Sequence, residues 1–241
     1  GCAIGTRPVN LYLQGLKEMG AEIDVADGYV NAKATSPSGR LTGTQINFPF
    51  VSVGATHVMM MAASLADGQT IINNAASEPE IMDVGRCLQA MGAQIEGLGT
   101  RTLIIDGVQK LNGATHTVTR DRIEAGAYAC AVVASNSEVT LTGADKALLG
   151  ALAPVLQQAG ATFESKPDGL LVKGTSDIRP VNVVTEPYPG FATDLQAPFM
   201  GLMCVANGVS HVRETIFENR FMHVQELARL GADIQLQGDT A

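Results

Sequence analysis

The chain has 241 residues, of which 46% are hydrophobic and 17% are charged, and its net charge is −8. This length accommodates one large domain or two small ones, with a sizeable buried core. Clustered Lys and Arg, which phosphate binding requires, are lacking, so the composition argues against a nucleic-acid-binding protein. Apolar stretches reach about ten residues where a membrane span needs about 20. A membrane protein, a disordered tail and a fibrous rod are therefore also disfavoured.

The four cysteines and four histidines are scattered along the chain. None of them are paired at the spacing of a zinc site, so we expect no metal. Four cysteines make no disulfide framework and no signal peptide is visible, which predicts a reduced, cytoplasmic setting. The chain begins at Gly1 without Met and ends at Ala241 inside a strand-like pattern at 233–236. We therefore expect an internal piece of a longer protein.

A short phrase ending in Gly-Ala recurs about every 70 residues, with its glycine at positions 20, 92, 160 and 231. Each copy follows a segment with helical periodicity and precedes an alternating segment typical of a strand. Gly92 suits the left-handed position that ends a helix. The alternating residues 94–96 and 103–105 then predict a hairpin, and the Pro-Asp-Gly turn at 167–169 occupies the matching place one unit later.

Each unit also has a second predicted helix followed by a short strand. These helices are predicted at 52–65, 124–134 and 193–206. The repeated order of helix, strand, helix, strand, strand predicts an α+β fold built from βαβαββ units of about 70 residues. A capping box at 77–80 is expected to open the helix in between. The phase of the repeat predicts a domain joint at 119–120.

Cys2 lies in a segment with glycines on both sides, and Arg7 follows five residues later. A loop thiol near a cation can have a lowered pKa and act as a nucleophile or proton donor. The alternative is an exposed cysteine in a turn. Cys87, Cys130 and Cys204 lie in apolar predicted helices, where free cysteine is usually a buried hydrophobe, so we expect these three in the core.

Asp194 and Arg220 stand at the starts of predicted helices, behind the potential caps Thr193 and Asn219. As structural residues, Asp194 would be an acid that the helix dipole stabilises, and Arg220 would be a charge exposed to solvent. As functional residues, Asp194 would be a general base at the mouth of a cleft, and Arg220 would bind a carboxylate or phosphate. Residues 52–54 begin a predicted helix, whose free N–H groups can also bind an anion.

Several segments together resemble the enolpyruvyl transferases, in particular the branch that acts on UDP-N-acetylglucosamine. They run in family order through the whole chain, at 1–9, 52–56, 74–81, 121–126, 193–196 and 214–224. The first and last are the most specific, and the branch that acts on shikimate 3-phosphate lacks the cysteine segment.

The resemblance implies two domains, each a prism of three βαβαββ units arranged as an inside-out barrel and truncated here at both ends. Residues 1–119 would be the C-terminal part of the first domain, and residues 120–241 the larger part of the second.

The resemblance also implies a reaction. The enolpyruvyl group of phosphoenolpyruvate is transferred to the 3′-hydroxyl of UDP-N-acetylglucosamine by addition and elimination, and phosphate is released. This is the committed step of peptidoglycan precursor synthesis. No cofactor, metal, nucleic acid, membrane or obligate protein partner is implied. The alternative is a non-catalytic nucleotide-sugar-binding protein on the same scaffold.

By the same resemblance, Cys2 donates a proton, forms a covalent adduct with phosphoenolpyruvate and reacts with fosfomycin. Asp194 takes the proton of the 3′-hydroxyl, while Arg7 and Arg220 neutralise the anionic groups of phosphoenolpyruvate. The implied substrate-binding residues are Arg7, Pro8, Val9, Asn10, Leu11, Phe50, Val51, Ser52, Val53, Gly54, Asp194 and Ile216.

The chain departs from the family pattern at four positions. Asn10 stands where Asp is common, Tyr12 where His is frequent, Phe50 where Lys is frequent, and Ala192 where the family has Pro. The family's early Lys-Asn pair, a nucleotide-sugar Arg and a late Arg that holds phosphoenolpyruvate fall outside the chain. We therefore expect the chain by itself to be inactive.

Overall fold

The computed structural model describes residues 9–217 and 219–241. The chain divides between Thr119 and Arg120 into two compact units, which we call the N-terminal unit and the C-terminal unit. That they are parts of two enolpyruvyl transferase domains stays a prediction. Within the described residues, no helix is both long and apolar enough to cross a membrane.

The N-terminal unit contains one complete βαβαββ module, preceded by a helix and a hairpin. Its elements are α1 (Asn10–Glu18), β1 (Ala21–Ala26), β2 (Tyr29–Ala34), β3 (Gln45–Asn47), α2 (Val53–Ala63), β4 (Gln69–Asn73), α3 (Pro79–Ala90), β5 (Gln94–Glu96) and β6 (Thr102–Asp106). The strand order of the module is β3-β4-β6-β5. β3 and β4 are parallel, and the other pairs are antiparallel, which confirms the predicted hairpin of β5 and β6.

The C-terminal unit repeats most of this order. Its elements are α4 (Arg122–Ala134), β7 (Glu138–Thr142), α5 (Leu152–Ala159), β8 (Thr162–Lys166), β9 (Gly169–Lys173), β10 (Val183–Val184), a 3₁₀ helix (Thr193–Leu195), α6 (Gln196–Met203), β11 (Val212–Arg213) and α7 (Met222–Arg229). The antiparallel sheet β7-β9-β8 matches β4-β6-β5 of the other unit. In the described residues, no strand precedes α4 as β3 precedes α2.

The four glycines of the recurring phrase have the backbone conformation that the sequence predicts for Gly92. Their φ angles are positive, at 86°, 104°, 113° and 99° for Gly20, Gly92, Gly160 and Gly231. A side chain with a Cβ is disfavoured there, so glycine ends each helix and turns the chain toward the next segment. This common helix ending is what makes the repeat visible in the sequence.

Two local predictions are wrong. The capping box at 77–80 does not form, because the helix begins at Pro79 behind Glu78, and no side chain caps it. Proline at the first helical position needs no N–H partner, so a cap is less necessary there. Residues 232–236 form neither strand nor helix. Arg213 instead forms an isolated antiparallel bridge with Thr240, beside two backbone hydrogen bonds between Val212 and Ala241.

Each unit has its own apolar core. In the N-terminal unit, Met59 and Met60 of α2 are fully buried with Ile72 and Ile81, whereas Met61 is exposed. In the C-terminal unit, α4 packs on α6 and on the 3₁₀ helix. Gly126 of α4 makes this approach possible, because a Cβ there would lie 2.6 Å from Leu195 Cδ2 and 2.9 Å from Leu152 Cδ2. The backbone of α4 thus determines where the 3₁₀ helix lies.

We predict that Gly126→Ala lowers the free energy of unfolding by about 1–2 kcal/mol, because the added methyl overpacks a buried contact. Gly201→Ala in α6 is the matched control, since a Cβ there meets nothing within 4 Å. That change should stabilise the chain by roughly 0.5–1 kcal/mol through helix propensity. Urea unfolding of both variants measures the difference, and equal effects would contradict the close packing at Gly126.

A second prediction concerns His223 in the first turn of α7. The ring lies near Phe221, with centroids 6.5 Å apart, and its buried Nε2 has no hydrogen-bond partner among the residues that the structure describes. Burial, and secondarily the charge of Arg220, lower the pKa of His223 below its ordinary 6.5. The unfolded chain therefore binds this proton more readily, so the contribution of His223 to stability is complete above the ordinary pKa and is lost as the pH falls below it.

We expect the melting temperature to fall between about pH 7.5 and about pH 5.5, and His223→Gln to reduce that fall. His211→Gln is the control, because His211 is exposed. Thermal melts of the three proteins across the pH range provide the test. The same slope in the wild-type protein and in His223→Gln would contradict the assignment.

Candidate active site

The C-terminal unit brings Asp194 and Arg220 together across 26 residues of sequence. Arg220 Nη2 lies 2.6 Å from Asp194 Oδ1, in a charge-assisted hydrogen bond. The Asp194 side chain is 53% exposed, whereas that of Arg220 is 16% exposed. The pairing follows from the parallel strands β10 and β11. Because the carboxyl ends of parallel strands meet at one edge, the segments that carry the two side chains start side by side.

Thr193 connects this pair to a buried acid. Arg220 Nη1 donates to Thr193 Oγ1 over 3.0 Å, and that hydroxyl donates to Glu214 Oε2 over 2.9 Å. The sequence predicts Thr193 as a helix cap, but its side chain caps neither the 3₁₀ helix nor α6. Two charged partners bind a hydroxyl more strongly than a backbone N–H does, which explains the different role.

Glu214 is 1% exposed, and its other oxygen is also fully used. Oε1 accepts hydrogen bonds from Thr185 Oγ1 at 2.7 Å, Ile216 N at 2.8 Å and Phe217 N at 3.1 Å. The backbone N–H of Thr215 in turn donates to Thr185 Oγ1 over 2.9 Å. The segment after β11 therefore folds around the carboxylate.

Arg220 is fixed at its backbone as well as at its guanidinium. Gln196 of α6, which is fully buried, donates from Nε2 to the Arg220 carbonyl over 3.1 Å. The guanidinium carbon lies 5.7 Å from the centroid of the Phe217 ring. Held by these contacts, Arg220 keeps a defined position next to the more exposed Asp194.

Glu214 and Thr185 are not among the site residues that the sequence predicts. Glu214 opens one of the segments that carry the resemblance, and a glutamate directly after a short strand is a usable signal. Thr185 belongs to no motif. Only the pairing of β10 with β11 shows that it faces Glu214.

In the N-terminal unit, α1 and α2 lie side by side and run in the same direction. Tyr12 approaches Gly54 so closely that a Cβ there would lie 2.3 Å from the tyrosine oxygen, and Gly15 lies against Met59 further along both helices. Neither helix has an acidic residue in its first turn. Two helix N-termini at one end present N–H donors and partial positive charge, which favours an anion.

The predicted substrate-binding residues of this unit lie at that end, at 9–11 and 50–54. Ser52 caps α2 by accepting a hydrogen bond from the Ala55 N–H over 3.3 Å. Leu11 is buried in the core, and Val51, Ser52 and Gly54 are partly buried. The exposed members are Val9, Asn10, Phe50 and Val53. Ile216 belongs to the C-terminal unit and is exposed beside the Glu214 carboxylate.

Cys2, Arg7 and Pro8 lie outside the described residues, as does Glu218. The expectation of three core cysteines holds for Cys130 alone, whose burial raises its pKa to about 12.

The other two cysteines lie elsewhere. Cys87 is partly buried, and Cys204 is exposed because α6 ends at Met203, which leaves Cys204 in the turn beyond the helix. Within residues 9–217 and 219–241, no group of three or more His, Cys, Asp or Glu side chains is placed to hold a metal ion.

Solved structures of known proteins share this fold. The enolpyruvyl transferase NikO from Streptomyces tendae superposes with a TM-score of 0.84 at 24% identity, over 97% of this chain and 57% of that one. The EPSP synthase from Acinetobacter baumannii superposes with a TM-score of 0.65 at 17% identity, over 99% of this chain and 57% of that one. These likenesses confirm the predicted fold.

Curated relatives match at higher identity. The UDP-N-acetylglucosamine 1-carboxyvinyltransferase of Allorhizobium ampelinum is 59% identical over 242 residues, and that of Rhizobium johnstonii is 58% identical. In both cases the match includes the whole of this chain and 56% of the relative. The chain thus spans about half the length of these relatives.

The family model described as EPSP synthase (3-phosphoshikimate 1-carboxyvinyltransferase) matches residues 1–241. With the fold of both units and the identity to the curated relatives, this match shows that the chain belongs to the EPSP synthase family of enolpyruvyl transferases.

Proposed function

We propose that the protein containing this chain transfers the enolpyruvyl group of phosphoenolpyruvate to the 3′-hydroxyl of UDP-N-acetylglucosamine and releases phosphate. The observation that carries the proposal is the exposed Asp194 carboxylate paired with the anchored Arg220 guanidinium at 2.6 Å. It places a proton acceptor beside an anion-binding group, which are the two groups that this reaction needs. The names of the most similar curated relatives support the choice of substrates.

In the proposed reaction, Arg220 acts first and Asp194 acts second. Phosphoenolpyruvate replaces Asp194 as the anionic partner of Arg220, which frees the carboxylate. Asp194 then takes the proton of the 3′-hydroxyl as its oxygen bonds to C2 of phosphoenolpyruvate, and C3 gains a proton from Cys2. Phosphate subsequently leaves C2 with the proton that Asp194 holds, and C3 returns a proton to the Cys2 thiolate, so the enol ether forms. Arg7 and Arg220 lower the repulsion between the substrate anion and Asp194.

The nucleotide sugar is proposed to bind at the N-termini of α1 and α2. Its diphosphate suits the unneutralised helix ends, and residues 9–11 and 50–54 line the same end of the unit. Ile216 is also proposed as a substrate-binding residue. In this account the protein acts in the cytoplasm, in peptidoglycan precursor synthesis, and is the target of fosfomycin.

A chimera provides the test, because the curated relatives extend beyond this chain. In it, the chain replaces the matching 242 residues of the Allorhizobium ampelinum relative. Phosphate release is measured with phosphoenolpyruvate and UDP-N-acetylglucosamine together, and with each alone. We expect release only with both. A chimera that binds the nucleotide sugar and releases no phosphate would contradict the proposal and favour the non-catalytic binding protein.

In that chimera, Asp194→Asn should lower kcat roughly 10²–10⁴-fold, because an amide cannot accept the hydroxyl proton. The KM for UDP-N-acetylglucosamine should change much less. Asp145→Asn is the matched control, since the Asp145 carboxylate is exposed and accepts a hydrogen bond from the Leu148 N–H over 2.8 Å. A kcat for Asp194→Asn within about threefold of the parent would mean that Asp194 is structural.

The cysteines give an independent prediction. Fosfomycin should alkylate Cys2, and faster when UDP-N-acetylglucosamine is present. Cys130 should remain unlabelled, because it is buried and its pKa is raised to about 12. Cys204 is exposed, but desolvation raises its pKa, so its thiolate fraction is small. Mass spectrometry of the chimera, with Cys2→Ser and Cys204→Ser as paired variants, locates the adduct. Equal labelling of Cys2 and Cys204 would contradict the assignment.

A further inference from the structure

We propose that Glu214 and Thr193 are positioning residues for the reaction: the buried carboxylate orients the Thr193 hydroxyl, which holds one arm of Arg220 while the other arm exchanges Asp194 for substrate. The inference rests on the proposed function.

Two hydrogen bonds link Arg220, Thr193 and Glu214, and the direction of each is determined by the two charged groups at the ends. A guanidinium only donates, and an ionised carboxylate only accepts. The Thr193 hydroxyl lies between them, 3.0 Å from Arg220 Nη1 and 2.9 Å from Glu214 Oε2. Its one proton must therefore point to Glu214, and a lone pair must point to Arg220. Without Glu214, the hydroxyl proton would lose the acceptor that holds it in this orientation.

Burial makes Glu214 costly as a purely structural residue. Removing a carboxylate from water carries a large desolvation penalty, and apolar residues of similar volume fill such a place at less cost. Here the penalty is offset by four donors, namely Thr185 Oγ1, Thr193 Oγ1, Ile216 N and Phe217 N. A buried carboxylate with all of these hydrogen bonds suits a role in which its charge orients the neighbouring polar groups.

The geometry at Arg220 gives this orientation a use. Nη1 contacts Thr193 and Nη2 contacts Asp194, so neighbouring residues hold two arms of one guanidinium. Thr193 is partly buried and bonded to the buried Glu214, whereas the Asp194 side chain is 53% exposed. An anionic substrate can therefore take the place of Asp194 at Nη2 while Nη1 stays bound. Arg220 then turns about a fixed contact and does not have to be repositioned.

Kinetics of the chimera test the hydrogen-bonded relay formed by Arg220, Thr193 and Glu214. Thr193→Val removes the relay oxygen at similar volume, Thr193→Ser keeps the hydroxyl, and Glu214→Gln removes the charge. We expect Thr193→Val and Glu214→Gln each to raise the KM for phosphoenolpyruvate about tenfold or more, as the loss of a hydrogen bond to a charged group does. The KM for UDP-N-acetylglucosamine should stay within about twofold, and Thr193→Ser should restore most of the loss.

Thr185→Val is the matched control. It removes the other hydroxyl that donates to Glu214. Thr185 is fully buried and makes no hydrogen bond to Arg220 among those described. It should lower the melting temperature and leave the KM for phosphoenolpyruvate within about twofold of the parent. In the double variant Glu214→Gln/Thr193→Val, the KM for phosphoenolpyruvate should be within about twofold of its value in the more severe single variant. Both changes act through the same contact to Arg220, so their effects do not add.

A second measurement is independent of activity. In the 241-residue chain, NMR of the Arg220 guanidinium reports rotation about its Cζ–Nε bond. Anchoring of both arms should slow this rotation and give separate Nη signals. Thr193→Val and Glu214→Gln should merge the signals, and Thr185→Val should not.

Each outcome bears on a different claim. An inactive parent chimera would overturn the proposed function, while the NMR signals would still test the relay. Unchanged kinetics in Thr193→Val, or equal KM increases in Thr185→Val and Thr193→Val, would overturn the relay in an active chimera.

Discussion

The buried carboxylate of Glu214 is the constraint on which the site in the C-terminal unit depends. β10 and β11 pair over only two residues each, so their backbone ladder alone holds the following segments weakly. Glu214 adds contacts to the hydroxyls of Thr185 and Thr193 and to the backbone after β11. Through these contacts a short strand pair becomes the rigid base of an ion pair.

The N-terminal unit builds its candidate site from different elements. There, small residues allow two parallel helices to approach, as Gly15 and Gly54 show. The close approach places two uncompensated helix ends together without any charged side chain in their first turns. One unit therefore offers partial charges of backbone groups to an anion, and the other offers a full cation beside a carboxylate.

The sequence predicts the module well, because its signals are local. Helix-ending glycines, hairpin turns and apolar periodicity depend on neighbouring residues, and the order of elements follows from them. The resemblance to the enolpyruvyl transferases adds Asp194 and Arg220. What the sequence does not show is the connection between them, since the partners of Thr193, Glu214 and Thr185 lie 21 to 29 residues apart. The exposure of Cys204 also depends on where α6 ends, which periodicity does not define sharply.

The shortness of the β10–β11 ladder has a consequence for the lifetime of the assembled site. Separation of β10 from β11 leaves the backbone hydrogen bonds between β11 and residues 239–241 in place. It therefore costs less free energy than the unfolding of a whole unit. When the strand pair opens, Glu214 loses its hydrogen bonds to Thr185 and Thr193, and Asp194 and Arg220 separate although the apolar core remains intact. The fraction of molecules with an intact Asp194–Arg220 ion pair is therefore governed by local opening, and the overall stability of the fold is a poor measure of it.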